Sequence, residues 1–496
     1  MPYKHFLRVI CAASLLSGAA QAAQAESSIW GADLPVPAIP GYAFPEPEAT
    51  LMGWVNGGSA ADNANIYLHG WGLWDALTTP STLTVYGIQN APVYLTWVTK
   101  QELVAMSKTS GKTLFQATAP QRKLRLSDVT QLSKFGVHSM QPKAMPELKA
   151  ANGITPDTSV LETVTYDPVS GQTINDRGYF KLATIQQVYT SKQPEIAAFP
   201  EPSVVVKPVY KVISAKTLYQ NRYYVMPAWP GTPAVTPTIE KNGFPESSWN
   251  GGCVYVDTQN TGTSTANAVD PSCSGPSAAT TYGLGDFVHY TLTAQNAAFF
   301  DVANTQKVVA GDTLLLMAMH VSTREMTEWT WQTFFWTPDP ANPPLPSSTA
   351  IAAAIPAQLT GAPAHYAGSF AYAMVSPNQP INGGKSVGQP VVGYNPYLES
   401  DFGANVFGLT RPIVDGSQSW TGTVGVQTNC MTCHALAAVA FSKTAQTAYA
   451  TDFYIARDDP FFAGTVQTEF LWSIADVVSS QQTQALQKTF KHKTSK

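Results

Sequence analysis

The chain has 496 residues, a formal charge of −4, and only 12% charged residues, about half the usual globular share. A mildly acidic chain of this size argues against a nucleic-acid partner. With 44% hydrophobic and 11% aromatic residues it can bury a large core, which excludes a disordered polymer, and Gly 35 and Pro 37 predict many turns.

The N-terminus reads as an export signal. Lys4 and Arg8 form a positive start, and Val9–Ala20 is apolar but too short to span a bilayer. Ala23-Gln24-Ala25 fits a small-x-small cleavage rule, so the mature chain is expected to begin at Glu26 with a charge of −6 after loss of Lys4 and Arg8. Cys11 leaves with the signal. No later segment is apolar enough for a membrane span, so the expected location is periplasmic or secreted, in a bacterium.

Four segments are expected: a signal peptide (1–25), an N-terminal mixed region (26–160), a β-rich body (161–425) and a C-terminal segment (426–496) packed on that body. In the second, Tyr67–Leu77 has helical spacing interrupted by two glycines, and Lys100–Met106 continues as helix after Ala91–Val98. Residues 107–150 read as an exposed loop. Tyr179–Thr190 has helical character. Strands are expected over Ser203–Ser214, Arg222–Ala228, Gly252–Val256, Phe287–Leu292, Asp312–Val321 and Trp329–Trp336. A last helix is expected from about Thr468 to Phe490. The expected fold class is β-rich α+β, a sandwich- or barrel-like antiparallel sheet with a few helices and a C-terminal helical segment.

Of the five cysteines, four remain after export. Cys253 and Cys273 flank a Thr/Asn/Gly/Ser-rich loop, and in an oxidising compartment their default is a disulfide. Closing a loop of that length stabilises by about 3 kcal/mol.

The most specific signal is Cys430-Met431-Thr432-Cys433-His434. This C-x-x-C-H spacing is that of a covalent c-type haem site. Two thiols three residues apart can each form a thioether to a vinyl group, and the next residue can offer an imidazole nitrogen to the iron. Cys430 and Cys433 are therefore the expected haem-attachment residues and His434 the axial ligand. The rivals are a redox disulfide, which would want a βαβ context, and half a zinc site, which would want a second ligand pair nearby. The apolar run Ala435–Phe441 is expected to continue the helix that carries His434.

No methionine follows Met431, and His492 lies in a Lys-rich tail. The second axial position must then be filled from upstream, by water, or not at all. His320, at the end of an apolar strand, is the leading candidate for the distal face, as ligand or as acid/base, with Arg324 a few residues later as a catalytic candidate. Strand alternation puts Leu314, Leu316, Ala318 and His320 on one face, with Leu315, Met317, Met319 and Val321 on the other. His289, Met317 and Met319 are weaker alternatives, followed by His69, His138 and His365. Trp329, Trp331 and Trp336 are either sheet packing or a haem wall. Lys207 interrupts an otherwise apolar strand and can snorkel.

The motif order resembles a group of bacterial exported proteins labelled as cytochrome c family. The resemblance rests on His69-Gly70-Trp71-Gly72-Leu73-Trp74 with Thr96-Trp97, Phe199-Pro200 through Lys207, Leu315 to Trp331 with Thr333 and Phe334, and Asn429 to Ala435. Glu-His follows Thr-Phe in that group, whereas this chain has Phe335-Trp336, so no role for that histidine carries over. The resemblance implies a shared architecture and one haem but no reaction. Cross-linked-haem enzymes of the hydroxylamine-oxidising kind have an architectural similarity: they also join a C-terminal C-x-x-C-H to a β-rich body and use a lysine at the ring edge.

Three functions follow as expectations. The first is electron transfer by an exported single-haem c-type cytochrome to a redox partner the sequence does not name. The second is a haem enzyme with an open distal site, a peroxidase or small nitrogen-compound oxidase. The third is a non-redox binding or structural protein stabilised by haem.

Overall fold

The computed structural model describes residues 30–108, 122–128, 154–234, 236–302, 307–379, 388–402, 411–413, 418–420, 428–442 and 454–494. The signal segment, His138 and most of 107–150 lie outside the described residues.

The apolar strands assemble into one ten-stranded sheet. Its centre is Val204–Ile213, Thr313–Thr323, Thr330–Trp336 and Tyr366–Ala371, each antiparallel to the next. Phe300–Val302 and Leu124–Asp128 form a parallel pair at the far end. The two ends of the strand order do not pair among the described residues, so the sheet is open rather than a closed barrel. The architecture is β-rich α+β, as expected, with a mixed main sheet.

Helices and a separate three-stranded sheet, Tyr223–Pro227, Cys253–Asp257 and Thr281–Gly283, complete the covering, and Tyr224, Met226, Val254, Val256 and Tyr282 of that sheet share a core with the main one. Ala60–Thr78 is a 19-residue helix, longer than its apolar spacing suggests. Its start is fixed by a capping box: Asp62 N–H donates to Ser59 Oγ at 3.1 Å, and Ser59 N–H donates to Asp62 Oδ2 at 3.0 Å. The interrupting glycines have a packing reason. A Cβ at Gly70 would meet the Phe370 ring at 2.5 Å, and one at Gly72 the Tyr42 ring at 2.2 Å. The close approach lets Trp74 stack on Phe334 at 4.6 Å between ring centres.

The sheet separates two hydrophobic cores. Val204, Val206, Val321 and Phe334 belong to the first, with Trp71 and Trp74. Val205 and Trp331 belong to the second, with Met431, Leu471 and Ile474 of the C-terminal segment. The alternation along Val204–Val206 is the strand period at work. The main sheet also takes in strands that precede residue 160, Val98–Thr99 and Leu124–Asp128.

Several boundaries differ from the sequence reading. Leu124–Asp128 is a strand inside the expected loop. The helix carrying His434 is only Cys430–Ala435, and the apolar run then turns into a strand, Ala438–Ala440, paired with Thr465–Gln467. The register along Thr313–Thr323 slips between Leu316 and Ala318. Leu316 pairs with Tyr210 and Ala318 with the adjacent Val209. Neighbouring strand residues face opposite ways, so this bulge puts Leu316 and Ala318 on opposite faces and breaks the expected Leu314-to-His320 stripe.

The last helix, Trp472–Thr494, includes His492. Cys253 and Cys273 have their sulfurs at disulfide distance, with Cα atoms 5.2 Å apart. Among the described residues no helix is long and apolar enough to cross a membrane.

Candidate functional site

The C-x-x-C-H segment is pinned before it reaches any pocket. Asn429 caps the short helix by accepting from Thr432 N–H at 3.1 Å. Its amide donates to the carbonyls of Ala373 at 3.1 Å and Met374 at 3.0 Å, and to Val391 O. Cys430 N–H donates to Gly393 O at 3.0 Å. From the other side, Trp472 Nε1–H donates to Cys433 O at 3.0 Å. Cys430 and Cys433 are both partly exposed and not bonded to each other. The Cys430 thiol lies 2.8 Å from Gly393 O, and burial, with Glu399 and Cys433 nearby, pushes it well above the ordinary thiol range.

Two contacts help to orient His434. Its Nδ1 lies 2.8 Å from Phe470 O, and a carbonyl only accepts, so Nδ1 carries the proton and the lone pair of the neutral ring is on Nε2. The Trp331 ring lies 4.1 Å from the imidazole, centre to centre. A histidine whose other nitrogen is held by a carbonyl is the usual form of a metal-binding imidazole.

Cys430, Cys433 and His434 line one cleft together with His320, Lys207, Glu162, Glu399 and Trp472. His320 is more than 100 residues away in sequence. Its Nε2 is 2.8 Å from Glu399 Oε1, and Glu399 Oε2 accepts from Asn395 N–H at 2.7 Å. The Asn395 amide donates to Thr333 Oγ1 at 2.7 Å, and Thr333 is the cross-strand partner of His320. Burial alone would raise the Glu399 carboxyl. His320, the Asn395 N–H and Lys207 outweigh it and hold the group below the usual carboxylate range. Lys207 pairs across the strands with His320, and its ammonium contacts Glu162 at 2.5 Å. The lysine thus turns into the cleft with a carboxylate partner rather than snorkelling outward.

Of the other candidates, Arg324 does not line this cleft. Beyond Thr323 the chain leaves the sheet, and the Arg324 side chain meets Glu469 at 3.3 Å and Met326 O at 2.8 Å. His289 lies outside the cleft with Nδ1 2.9 Å from Phe287 O. Met317 and Met319 are fully buried in the first core. His69 contacts Tyr372 and Glu325, and His365 contacts Asp286. Trp336 stacks on Phe287 and Trp329 packs on Phe199, so of the three tryptophans Trp331 lines the cleft.

Sequence reasoning missed Glu399, Glu162 and Phe470, and it gave Asn429 no role beyond opening the C-x-x-C-H segment. Asn395-Pro396 announces a helix start, and Glu399 completes that turn. Nothing local links it to a histidine 79 residues away. No protein-family model matches the chain, and no curated protein or solved structure is significantly similar to it.

Proposed function

We propose that this chain is an exported c-type cytochrome that holds one haem in the cleft between His434 and His320 and moves electrons through it. One observation carries the reading: His320, singled out only by its strand and by elimination, lines the same cleft as Cys430, Cys433 and His434. The residues fit the group. Two partly exposed thiols, an imidazole with its lone pair on Nε2 and an indole wall suit a ring held at two edges and one face. When bound, the haem supplies one-electron redox chemistry. Cys430 and Cys433 would tether it, His434 would offer it Nε2, and Trp331 and Trp472 would line the same cleft.

A second reading is favoured by the His320–Glu399 contact. A histidine backed by a carboxylate is suited to take and return a proton, and Lys207–Glu162 adds a second charged pair beside it. That arrangement supports an oxidoreductase acting on a small molecule admitted above the ring. The signal-like N-terminus and the paired Cys253 and Cys273 support export.

The attachment is tested by peroxidase staining on a denaturing gel of protein matured in a host that attaches haem c. The wild-type band stains after unfolding, because thioethers do not dissociate. Cys430→Ala with Cys433→Ala removes the stain. A band that still stains in the double variant overturns the reading.

A further inference from the structure

Glu469 and Phe470 both have left-handed backbone, with φ of 51° and 65°. Side-chain-bearing residues seldom adopt that region, and two in succession need outside support. Support converges on one carboxylate, which is 3% exposed. Glu469 Oε2 accepts from Phe199 N–H at 3.3 Å and from Arg324 Nε at 3.3 Å. Its Oε1 lies 3.4 Å from Arg457 Nη2. The Arg457 guanidinium also sits 4.8 Å from the centre of the Phe470 ring. Arg324 is itself anchored, its N–H donating to Ser203 O and its Nη1 to Met326 O, both at 2.8 Å. The residue so held is followed directly by the carbonyl that accepts from His434 Nδ1 at 2.8 Å.

We propose that Arg324, Glu469 and Arg457 form a positioning clamp that fixes the Phe470 carbonyl against His434 and so sets the orientation and electron donation of that imidazole. This rests on the reading of His434 as the axial ligand. It moves Arg324 from a distal partner of His320 to a support of the opposite histidine. A firm Nδ1–H···O=C bond makes an imidazole a stronger donor and favours the more oxidised metal. Relaxing the clamp therefore weakens that bond and favours the reduced form.

The test is the reduction potential of Glu469→Gln and Arg324→Lys in the full, haem-loaded chain. Glu246→Gln serves as the control, because Glu246 is in a buried ion pair with Lys211 and lines no part of the cleft. Glu469→Gln is expected to shift the oxidised-to-reduced ratio at fixed potential about tenfold toward reduced, ~59 mV for one electron. Arg324→Lys, which keeps charge but loses the guanidinium geometry, shifts it the same way by less. Glu246→Gln lowers stability without moving the potential. Unchanged potentials in both clamp variants, with measured losses of stability, reduce the clamp to a structural role and overturn the proposal. If Glu469→Gln does not fold, Arg324→Lys alone decides. If the wild type carries no haem, the axial reading fails, and the clamp is then judged by the ¹⁵N ring shifts of His434. A loss of the Nδ1–H tautomer in Glu469→Gln supports positioning, and an unchanged tautomer refutes it.

Discussion

At the scale of single residues, the chain spends its few charges on fixing loops and imidazoles. Asp270 shows this beyond the cleft. It accepts from Tyr255 OH at 2.8 Å and from the N–H groups of Ser272, Ser274 and Gly275, and so holds the turn around Cys273. Burial would raise its carboxyl, but these donors bring it far below its ordinary value of 3.8. A carboxyl lowered in the folded state stabilises above the unfolded value, and that contribution is lost as pH falls through the folded one. Urea unfolding is thus expected to show the Asp270 contribution intact at neutral pH and falling only below 3.8. Asp270→Asn is expected to cost about 1–3 kcal/mol at pH 7 and to flatten that acid dependence. An Asn variant as stable as the wild type at pH 7 would contradict this. Residues of this scale were unevenly legible. His320 could be reached because its strand is the most apolar and few histidines compete. Arg324 is close in sequence but not in space, because the chain leaves the sheet after Thr323 and its backbone bonds to Ser203 instead. Glu399 and Glu469 act across distances in sequence that no local pattern encodes.

At the scale of elements, Asn429 ties the short helix Cys430–Ala435 to the loop beside it. Asn429 both accepts from the helix N-terminus and donates to carbonyls of the neighbouring loop. Asn429→Ala is expected to cost about 2–4 kcal/mol, combining the lost cap with buried carbonyls left unpaired. Asn429→Asp keeps the acceptor for Thr432 but sets a carboxylate against Ala373 O and Met374 O. It is expected to be no better than alanine in urea unfolding, with less haem attached per chain. A neutral Asp variant would show that the amide donors do not matter. Elements with a strong period were legible: Val204–Ile213, Thr313–Thr323 and Thr330–Trp336 lie within a residue or two of their expected limits. The run Ala435–Phe441 was not, because a short apolar stretch fits helix and strand alike. Pairing with Thr465–Gln467 decides it. The bulge after Leu316 leaves no mark on composition, yet it decides which residues share the face of His320.

At the scale of the whole molecule, turn-rich composition and many short strands point to β structure but not to its closure. A barrel requires the end strands to meet, and here the main sheet is instead covered by the long helix Ala60–Thr78, with Trp74 on Phe334, and by a separate three-stranded sheet, with Tyr282 edge-on to Trp336. The result is a sheet with a core on each side, and His320 and His434 reach one cleft from different parts of the chain. That a haem sits in this cleft with His320 on its distal side is the central proposal, and in protein loaded with haem the spin state of the iron in wild type and His320→Ala tests it most directly. Absorption and electron paramagnetic resonance spectra of the oxidised proteins are compared, together with the rate of cyanide binding. If His320 faces the haem, its removal converts a six-coordinate low-spin iron to high spin when it is a ligand. When it serves as an acid/base, removal changes the cyanide rate at least severalfold, with the proximal signature of His434 retained in both cases. Identical spectra and identical cyanide kinetics in the two proteins would contradict the account.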